Sequence, residues 1–358
     1  MRDLTVQGEP AGLLLAVDVS AAAVRGQLDL ICEQLRTMDQ SDLRVGLMTY
    51  DKRLHLYDLS PALSRPHMLV MTDHMELELP VCEGLLVPLK DFAHTHFAHR
   101  LKTCLPSHLC ACFSQTLGCP GKVLVFHSTP LIEDFLFQAP DSGISLAKDC
   151  VSQGCCIHLF LFSMQDVGGA WPGYTPYLTG GGVFTYSSLQ VNLEQLSRDL
   201  KRCVDKGTGY KADLRVFVSK GLRVTRCYGG FIPGHDPAHI SMATIDWHTT
   251  LAIEFTHCSS LDEQRGVIIQ AALSYTNARG ERRVRVHSLA LHCSHHLMNT
   301  FRNCQAQTLL TFYCKKCKEA VCGSGIKVIT EVTEALACYR KHCCSSAVTP
   351  GQVRGGCV

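Results

Sequence analysis

The sequence lacks the long apolar runs, the charge imbalance and the leader segment that mark several protein classes. No run of about 18 apolar residues occurs, which is the length that a helix needs to cross a bilayer. Residues 1–10 contain no apolar core flanked by basic residues, so we expect no secretory signal peptide. The formal net charge is +2 over 358 residues, which gives no overall attraction to nucleic acid. Any affinity for a membrane must therefore come from a local patch.

Motifs of nucleophilic and metal-dependent catalysis are also missing. The sequence contains no Gly-x-Ser-x-Gly nucleophile elbow and no His-Glu-x-x-His zinc motif. Gly180, Gly181 and Gly182 precede a predicted strand rather than a helix, so they do not form a phosphate-binding loop. The densest group of histidines is His94, His96 and His99, and we interpret them as solvated surface residues. We predict that the protein is not an enzyme.

Cysteine, by contrast, is abundant, with 21 residues in the chain. A disulfide scaffold would be short and rich in loops, whereas this chain is long and 46% hydrophobic. Several cysteines lie inside apolar runs, among them Cys32, Cys150, Cys155 and Cys156. We predict mostly reduced, buried thiols in a cytoplasmic protein.

The first predicted strand leads into a possible metal motif. Residues 13–17 are continuously apolar, as in a strand covered on both faces. Asp18 and Ser20 match the start of the Asp-x-Ser-x-Ser motif of A-type domains, in which oxygen atoms hold a hard cation. Ala22 at the fifth position supplies no ligand, so we predict that Asp18 and Ser20 only begin the next helix. The apolar stripe of that helix is Val24, Leu28, Ile31, Cys32 and Leu35.

Strands and helices alternate as far as residue 206, which predicts a mostly parallel sheet with helices on both faces. The predicted strands are residues 44–50, 54–59, 68–71, 122–128, 156–163 and 183–186. The predicted helices are residues 145–153, which Gly154 would end, and 189–206.

From residue 212 to residue 291 the pattern is almost entirely β, and the regular strand spacing indicates a sandwich. Residues 214–218 and 222–227 flank Ser219-Lys220-Gly221, a predicted hairpin turn. The remaining strands are residues 240–245, 250–256, 267–276 and 282–291. Alternation would place Arg283, Arg285 and His287 on one face, with Val284 and Val286 on the other.

Basic side chains are frequent in these strands. They are Arg215, Lys220, Arg223, Arg226, Arg282, Arg283 and Arg285. If alternation gathers several on one sheet face, each would gain about 1 kcal/mol next to anionic lipid. The alternative is an ordinary charged outer face.

The last region is helical and contains a pair of closely spaced cysteines. We predict one helix over residues 297–321, with Phe301, Leu309, Phe312 and Tyr313 in a stripe, and a second over residues 326–342, with Ile329, Val332, Leu336 and Tyr339 on one face. Cys314 and Cys317 have the spacing of half a zinc knuckle. Because a structural zinc site needs four ligands and no second pair follows, we predict no zinc there. Residues 345–358 are predicted to be a disordered tail.

Several long stretches resemble the cargo-selecting subunit of the COPII vesicle inner coat, the larger of two related inner-coat paralogues. They are LAVDVS at 15–20, RVGLMTY at 44–50, VSQGCC at 151–156, LTGG at 178–181, RRVRVHSLAL at 282–291, FRNC at 301–304 and ACYRKHC at 337–343. The resemblance implies a von Willebrand A-like α/β trunk over residues 10–206 after a short arm, 1–9. It further implies an all-β sandwich over 207–293 and a truncated helical segment over 294–344.

What the resemblance implies about function is a coat adaptor. Such a protein binds export signals in the cytosolic tails of membrane cargo and SNAREs, and forms a heterodimer with the smaller inner-coat paralogue. It acts peripherally on the cytosolic face of endoplasmic reticulum exit sites and COPII vesicles, in transport to the Golgi. The trunk and sandwich would face the membrane, where Arg215, Arg223, Arg226, Arg282, Arg283 and Arg285 would form a basic patch. No nucleic-acid partner is expected.

The chain also departs from that family. The family's four-cysteine zinc domain precedes the trunk, and we expect it to be absent here, so no cofactor is predicted. The trunk segments before Lys122 and after Ser128 look shortened, and a short tail replaces further helix and a gelsolin-like domain. One alternative is therefore an assembly-defective or interfering fragment. Another is a metal-dependent A-domain-like module, which Ala22 and the missing secretion signal disfavour.

Overall fold

The structure is a computed structural model that describes residues 10–19, 31, 33, 35, 43–50, 54–71, 84–92, 119–127, 141–162, 174–186, 193–204, 207–302, 304–320 and 325–343. The chain divides into two compact units. The first unit contains Met1–Arg215, Gly230–Thr249 and Ala272–Arg285. The second contains Val216–Gly229, Thr250–Ala271 and Val286–Val358.

A mostly parallel eight-stranded sheet forms the centre of the first unit. Its strands are β1 (Gly12–Asp18), β2 (Arg44–Tyr50), β3 (Leu54–Asp58), β4 (His67–Met71), β5 (Val87–Pro88), β6 (Gly121–His127), β7 (Cys155–Phe162) and β8 (Val183–Tyr186). The order is β4-β3-β2-β1-β6-β7-β8, and β5 pairs with β2. β1 is parallel to β2 and β6, and β7 is parallel to β6 and β8, whereas β3, β4 and β5 are antiparallel to their partners. The predicted mostly parallel sheet is confirmed.

Alternate residues of β1 enter two separate cores. Leu13, Leu15 and Val17 pack into a core on one face, while Leu14 and Ala16 pack into a core on the other. Burial on both faces explains the continuous apolar run in the sequence. Of the predicted stripe after β1, Ile31 and Leu35 are fully buried in the first core; Val24, Leu28 and Cys32 lie outside the described residues.

Helices cover both faces of this sheet. They are α1 (Leu89–Phe92), α2 (Asp141–Gln153), α3 (Tyr174–Leu178) and α4 (Leu193–Val204). α4 packs on one face through Leu196 and Leu200, and α2 packs on the other through Cys150. α2 begins four residues before the prediction and ends where predicted, at Gly154, whose φ is +74°.

Two antiparallel sheets follow the trunk. Their strands are β9 (Gly209–Val218), β10 (Leu222–Tyr228), β11 (His239–Ile245), β12 (Ala252–His257), β13 (Val267–Thr276) and β14 (Arg282–Leu291). One sheet has the order β11-β9-β13-β14, and the other pairs β10 with β12. Strand positions therefore follow the prediction closely.

The predicted β9–β10 hairpin is wrong, because the turn between them joins two sheets. The Ser219 N–H still donates to the Ile268 carbonyl of β13. Two residues later, the Gly221 carbonyl accepts from the Cys258 N–H beside β12. Gly221, with φ +100°, allows the chain to change sheet over this short distance.

The helices of the second unit are α5 (Leu297–Arg302), α6 (Ala306–Ala320) and α7 (Gly325–Cys343). The predicted single helix over 297–321 is wrong, because the chain leaves the helix between Arg302 and Ala306. A new helix starts there, where the Leu309 N–H donates to the Gln305 carbonyl. α6 contacts α7 and the β10–β12 sheet.

The predicted apolar face of α7 is only partly right. Val332 and Tyr339 are half-buried, whereas Ile329 and Leu336 are exposed. Val328, one position earlier than Ile329, is the buried residue of the first turn. Successive residues are about 100° apart around a helix, so a shift by one position moves the face by about a quarter turn. In the part of the chain that the structure describes, no helix is both long and apolar enough to cross a bilayer.

Candidate functional site

The carboxyl edge of the trunk sheet brings Asp18 together with two residues that the sequence analysis did not select. Asp18 ends β1 and is buried. His127 ends the neighbouring strand β6, and its Nδ1 lies 3.4 Å from Asp18 Oδ2. Tyr50 ends β2 on the other side; its hydroxyl lies 3.1 Å from His127 Nδ1 and donates to the Phe126 carbonyl over 3.2 Å. The carboxylate thus contacts the imidazole, and the imidazole in turn contacts the phenol.

Asp18 is also the first residue of the incomplete Asp-x-Ser-x-Ser metal motif. Ser20 and Ala22 lie outside the described residues. Within the ranges that the structure describes, no group of three or more His, Cys, Asp or Glu side chains is placed to hold a metal ion. The absence of a metal at Asp18 and Ser20 stays a prediction. His127 and Tyr50 could have been found from the sequence, because each ends an apolar strand predicted to finish at the same sheet edge.

A second polar group, formed by the partly buried His158 and the buried Cys156, lies on β7 beside β8. The Gly182 N–H donates to His158 Nδ1 over 3.1 Å, which places the proton of a neutral ring on Nε2. Nε2 lies 3.5 Å from Cys156 Sγ. Removal from water and the nearby Lys122 and Arg202 cations lower the pKa of His158 to about 3. Burial raises the pKa of Cys156 to about 11, so the two side chains are neutral and do not form an activated Cys–His pair.

Acid should destabilise the trunk through His158. The pKa of histidine in the unfolded chain is about 6.5, so the unfolded state binds a proton that the folded state, with a pKa of about 3, rejects. The stabilisation is complete above pH 6.5 and is lost as the pH falls towards 3, by about 2 kcal/mol between pH 7 and pH 5. Urea unfolding of the parent and of His158→Gln at pH 7 and pH 5 measures this effect. Between the two pH values, the free energy of unfolding should fall by about 2 kcal/mol less in His158→Gln than in the parent. An unchanged drop would contradict the role of His158.

The predicted basic residues lie on strands of both antiparallel sheets. Arg223 and Arg226 are on β10, Arg215 is on β9, and Arg282, Arg283 and Arg285 are on β14. Arg282 bends back along its own sheet and donates to the Lys211 carbonyl over 2.8 Å and to Ser274 Oγ over 2.7 Å. Because neighbouring strand residues alternate, Arg283 and Arg285 share the face opposite to Arg282.

Carboxylates accompany two of these arginines. Arg283 Nη2 donates to Glu281 Oε2 over 2.7 Å, and Arg215 Nε lies 3.5 Å from Asp213 Oδ1. These pairs are solvent-exposed, so water and salt screen their attraction. Both arginines can therefore exchange partners at low cost. Whether the six arginines act together on a membrane stays a prediction.

Cys314 and Cys317 lie on α6, one turn apart. Cys314 is exposed and Cys317 is half-buried, and both are free thiols. The prediction that they hold no zinc stays a prediction. The histidines His94, His96 and His99 lie outside the described residues.

The exposed edge strand of the trunk is a further feature that the sequence analysis did not select. β4 ends the eight-stranded sheet and carries Met68, Leu69 and Val70, all exposed. Strands at sheet edges present unpaired backbone groups, which other chains can bind. Charges or prolines usually protect such strands, but β4 has neither in this apolar stretch.

Two family models match most of the chain. The Sec23/Sec24 trunk domain model matches residues 9–137 and 134–204, and the Sec23/Sec24 beta-sandwich domain model matches residues 209–294. The chain belongs to the Sec23/Sec24 family. The predicted resemblance is therefore confirmed.

Individual relatives agree with this placement. The chain is 33% identical to human protein transport protein Sec24D over 392 residues, covering 94% of this chain and 38% of that protein. Human Sec24C is also 33% identical, over 94% of this chain and 36% of that protein. The crystal structure of the human COPII-coat protein Sec24c matches with a TM-score of 0.85 at 32% identity, over 96% of this chain and 52% of that chain.

These matches confirm the predicted fold class, a von Willebrand A-like α/β trunk followed by antiparallel β-structure. The chain spans little more than a third of the length of its relatives Sec24C and Sec24D. The 392 aligned positions exceed the 358 residues of the chain, so Sec24D has residues inside the matched region that this chain lacks.

Proposed function

We propose that the chain acts as a cargo adaptor of the COPII inner coat in transport from the endoplasmic reticulum to the Golgi. The observation that carries the proposal is the Sec24c likeness, which extends over 96% of the chain at a TM-score of 0.85. In this role the chain binds export signals in the cytosolic tails of membrane cargo and SNAREs. It is cytoplasmic and peripheral at exit sites and vesicles, it catalyses no reaction, and it needs no metal or nucleic acid.

The proposed domains are a trunk over residues 10–206, a sandwich over 207–293 and a helical segment over 294–344, between an arm, 1–9, and a tail, 345–358. The proposed partner is the smaller inner-coat paralogue. The β4 edge supports such pairing, because Met68, Leu69 and Val70 are exposed apolar residues on the last strand of the sheet that the structure describes.

A second candidate function is interference with the coat. The residues that Sec24D has inside the matched region and that this chain lacks favour it, since a chain shortened internally can retain one binding surface and lose another. It would bind the paralogue or cargo without completing the coat.

Co-purification tests the pairing. The tagged chain, with human Sec24C as positive control, is mixed with the purified paralogue and passed over a size-exclusion column. The adaptor proposal expects a stable 1:1 complex, which Leu69→Lys should weaken by placing a charge on β4. Failure to pair while Sec24C pairs would refute the adaptor role. If the chain interferes with the coat, it should pair with the paralogue, and adding it should displace Sec24C from the paralogue and block vesicle formation.

We further propose that Arg215, Arg223, Arg226, Arg282, Arg283 and Arg285 contribute to binding anionic membranes. Arg283→Glu together with Arg285→Glu should weaken binding to vesicles containing 30% phosphatidylserine by at least tenfold, because each arginine contributes about 1 kcal/mol near anionic lipid. Vesicle sedimentation at 0.1 M salt measures the change. The matched control is Arg65→Glu with Arg265→Glu, which alters the net charge equally at two exposed arginines elsewhere. Equal losses in the two double variants would contradict a patch on β14.

A further inference from the structure

β14 carries the sequence Arg283-Val284-Arg285-Val286-His287-Ser288. Ser288 has arginine three and five positions before it, and no other serine or threonine in the sequence has both. Protein kinases select substrates partly by the charge pattern around the acceptor hydroxyl. We propose that Ser288 is a phosphorylation site for a basophilic serine/threonine kinase.

The strand presents this sequence openly. β14 is the last strand of its sheet, and all ten of its residues are exposed. It is already extended, the conformation in which a peptide lies along a binding cleft, and no described strand pairs with its outer edge. Ser288 Oγ accepts a hydrogen bond from Gln270 Nε2 over 2.9 Å. This bond uses a lone pair of Oγ and leaves its proton available.

The two arginines are available to carboxylates of a kinase. Within the part of the chain that the structure describes, Arg285 has no ion pair or hydrogen bond through its side chain. Arg283 pairs with Glu281, but both side chains are about half exposed, at 49% and 47%. Water and salt screen an exposed pair of this kind, so a new carboxylate can replace Glu281.

The reaction is an ordinary phosphoryl transfer from ATP supplied with the kinase. Ser288 Oγ forms a bond to the γ-phosphorus, the bond from that phosphorus to the β,γ-bridging oxygen breaks, and ADP leaves. The hydroxyl proton passes to the catalytic carboxylate of the kinase. The product adds a charge of about −1.5 to −2 to β14 at neutral pH.

The added charge would regulate the proposed membrane contact, and this consequence depends on the proposed function. Ser288 lies on the face opposite to Arg283 and Arg285, so these arginines do not neutralise the phosphate within the strand. Phosphorylation cancels the charge of about two arginines near the membrane. We expect binding to phosphatidylserine vesicles to weaken about tenfold.

The test uses the full chain, a purified basophilic kinase, Mg²⁺ and ATP labelled at the γ-phosphate. We expect close to one phosphate per chain, mapped to Ser288 by mass spectrometry. Ser288→Ala and Arg285→Ala should each lower incorporation at least tenfold. Ser241→Ala is the matched control, because Ser241 is an exposed strand serine with Ala238 and Asp236 at the corresponding positions, and it should label like the parent.

Equal labelling of Ser288→Ala and the parent would overturn the proposal. So would labelling of a synthetic 281–292 peptide without labelling of the folded chain, because the sheet would then protect Ser288. Vesicle binding by phosphorylated and unmodified chain separates the consequence from the site. If the unmodified chain fails to bind vesicles, the proposed membrane contact fails; if both bind equally while Ser288 is labelled, only the regulatory effect is refuted.

Discussion

Gly181→Ala should destabilise the first unit by about 3 kcal/mol, because the new methyl group would overlap the backbone of the neighbouring strand. A Cβ at this position would lie 1.8 Å from the Ile157 carbonyl oxygen and 2.7 Å from its carbon. Backbone atoms cannot rotate away as a side chain can, so β7 and the segment entering β8 would have to separate. For a unit of about 250 residues this corresponds to a fall in melting temperature of about 8 °C.

Gly207→Ala is the matched control. A Cβ at Gly207 meets nothing within 4 Å, and its backbone is not in the left-handed region. Its melting temperature should stay within about 2 °C of the parent, since exposed substitutions usually change stability by less than about 0.5 kcal/mol. Thermal unfolding followed by circular dichroism compares the two. Equal melting temperatures for both variants would show that the close approach at Gly181 does not constrain the fold.

Lys316→Met should loosen the helices of the second unit. Lys316 Nζ donates to Glu254 Oε1 over 3.0 Å and to Glu331 Oε2 over 2.6 Å, and only 12% of its side chain is exposed. The Tyr228 hydroxyl donates to Glu254 Oε2 over 2.6 Å. One lysine thus connects β12, α6 and α7. Methionine keeps the length of the chain but leaves two carboxylates without their cation, which should cost about 2 kcal/mol.

Hydrogen exchange of α6 and α7 measures this effect locally. The protection of their amides should fall about thirtyfold in Lys316→Met, the factor that corresponds to about 2 kcal/mol. Arg265→Met is the control, because the Arg265 side chain is 89% exposed and, among the residues that the structure describes, its ion pair is with Asp262, three residues away. Its exchange should match the parent. Similar exchange rates in both variants would contradict the role of Lys316. They would show that apolar contacts alone, such as Phe312 against Tyr228, hold α6 in place.

The sequence predicted strands better than it predicted their partners. Continuous apolar runs and clean alternation located β2, β13 and β14 to the residue. The run of β2 follows directly from burial on both faces, whereas the alternation of β14 marks the strand although all ten of its residues are exposed. The Ser219–Gly221 turn has the composition of a hairpin, yet it joins two sheets. Turn residues determine the local backbone conformation. The partner of the Ser219 N–H is the Ile268 carbonyl, which lies 49 residues further along the chain, so the turn sequence alone does not show which strand pairs with which.

A candidate site could be predicted where a motif in a single segment pointed to it, and not where residues of several elements come together. Asp18 followed from its motif, and its burial is consistent with a structural position at the strand end. His127, 109 residues away, contacts Asp18, and Tyr50, 32 residues away, contacts His127, a relation that the parallel order β2-β1-β6 creates. Lys316 belongs to a polar stretch of α6 in the sequence. Its role depends on Glu254 and Glu331, which come from two other elements.

The adaptor role is tested most directly by vesicle flotation with three purified components. Vesicles containing phosphatidylserine are mixed with the smaller paralogue, this chain and a labelled peptide from the cytosolic tail of an exported membrane protein, and a scrambled peptide serves as control. If the chain is a cargo adaptor, the tail peptide should float with the vesicles only when the paralogue and this chain are both present. Equal flotation of the peptide without this chain, or flotation of the scrambled peptide, would contradict it.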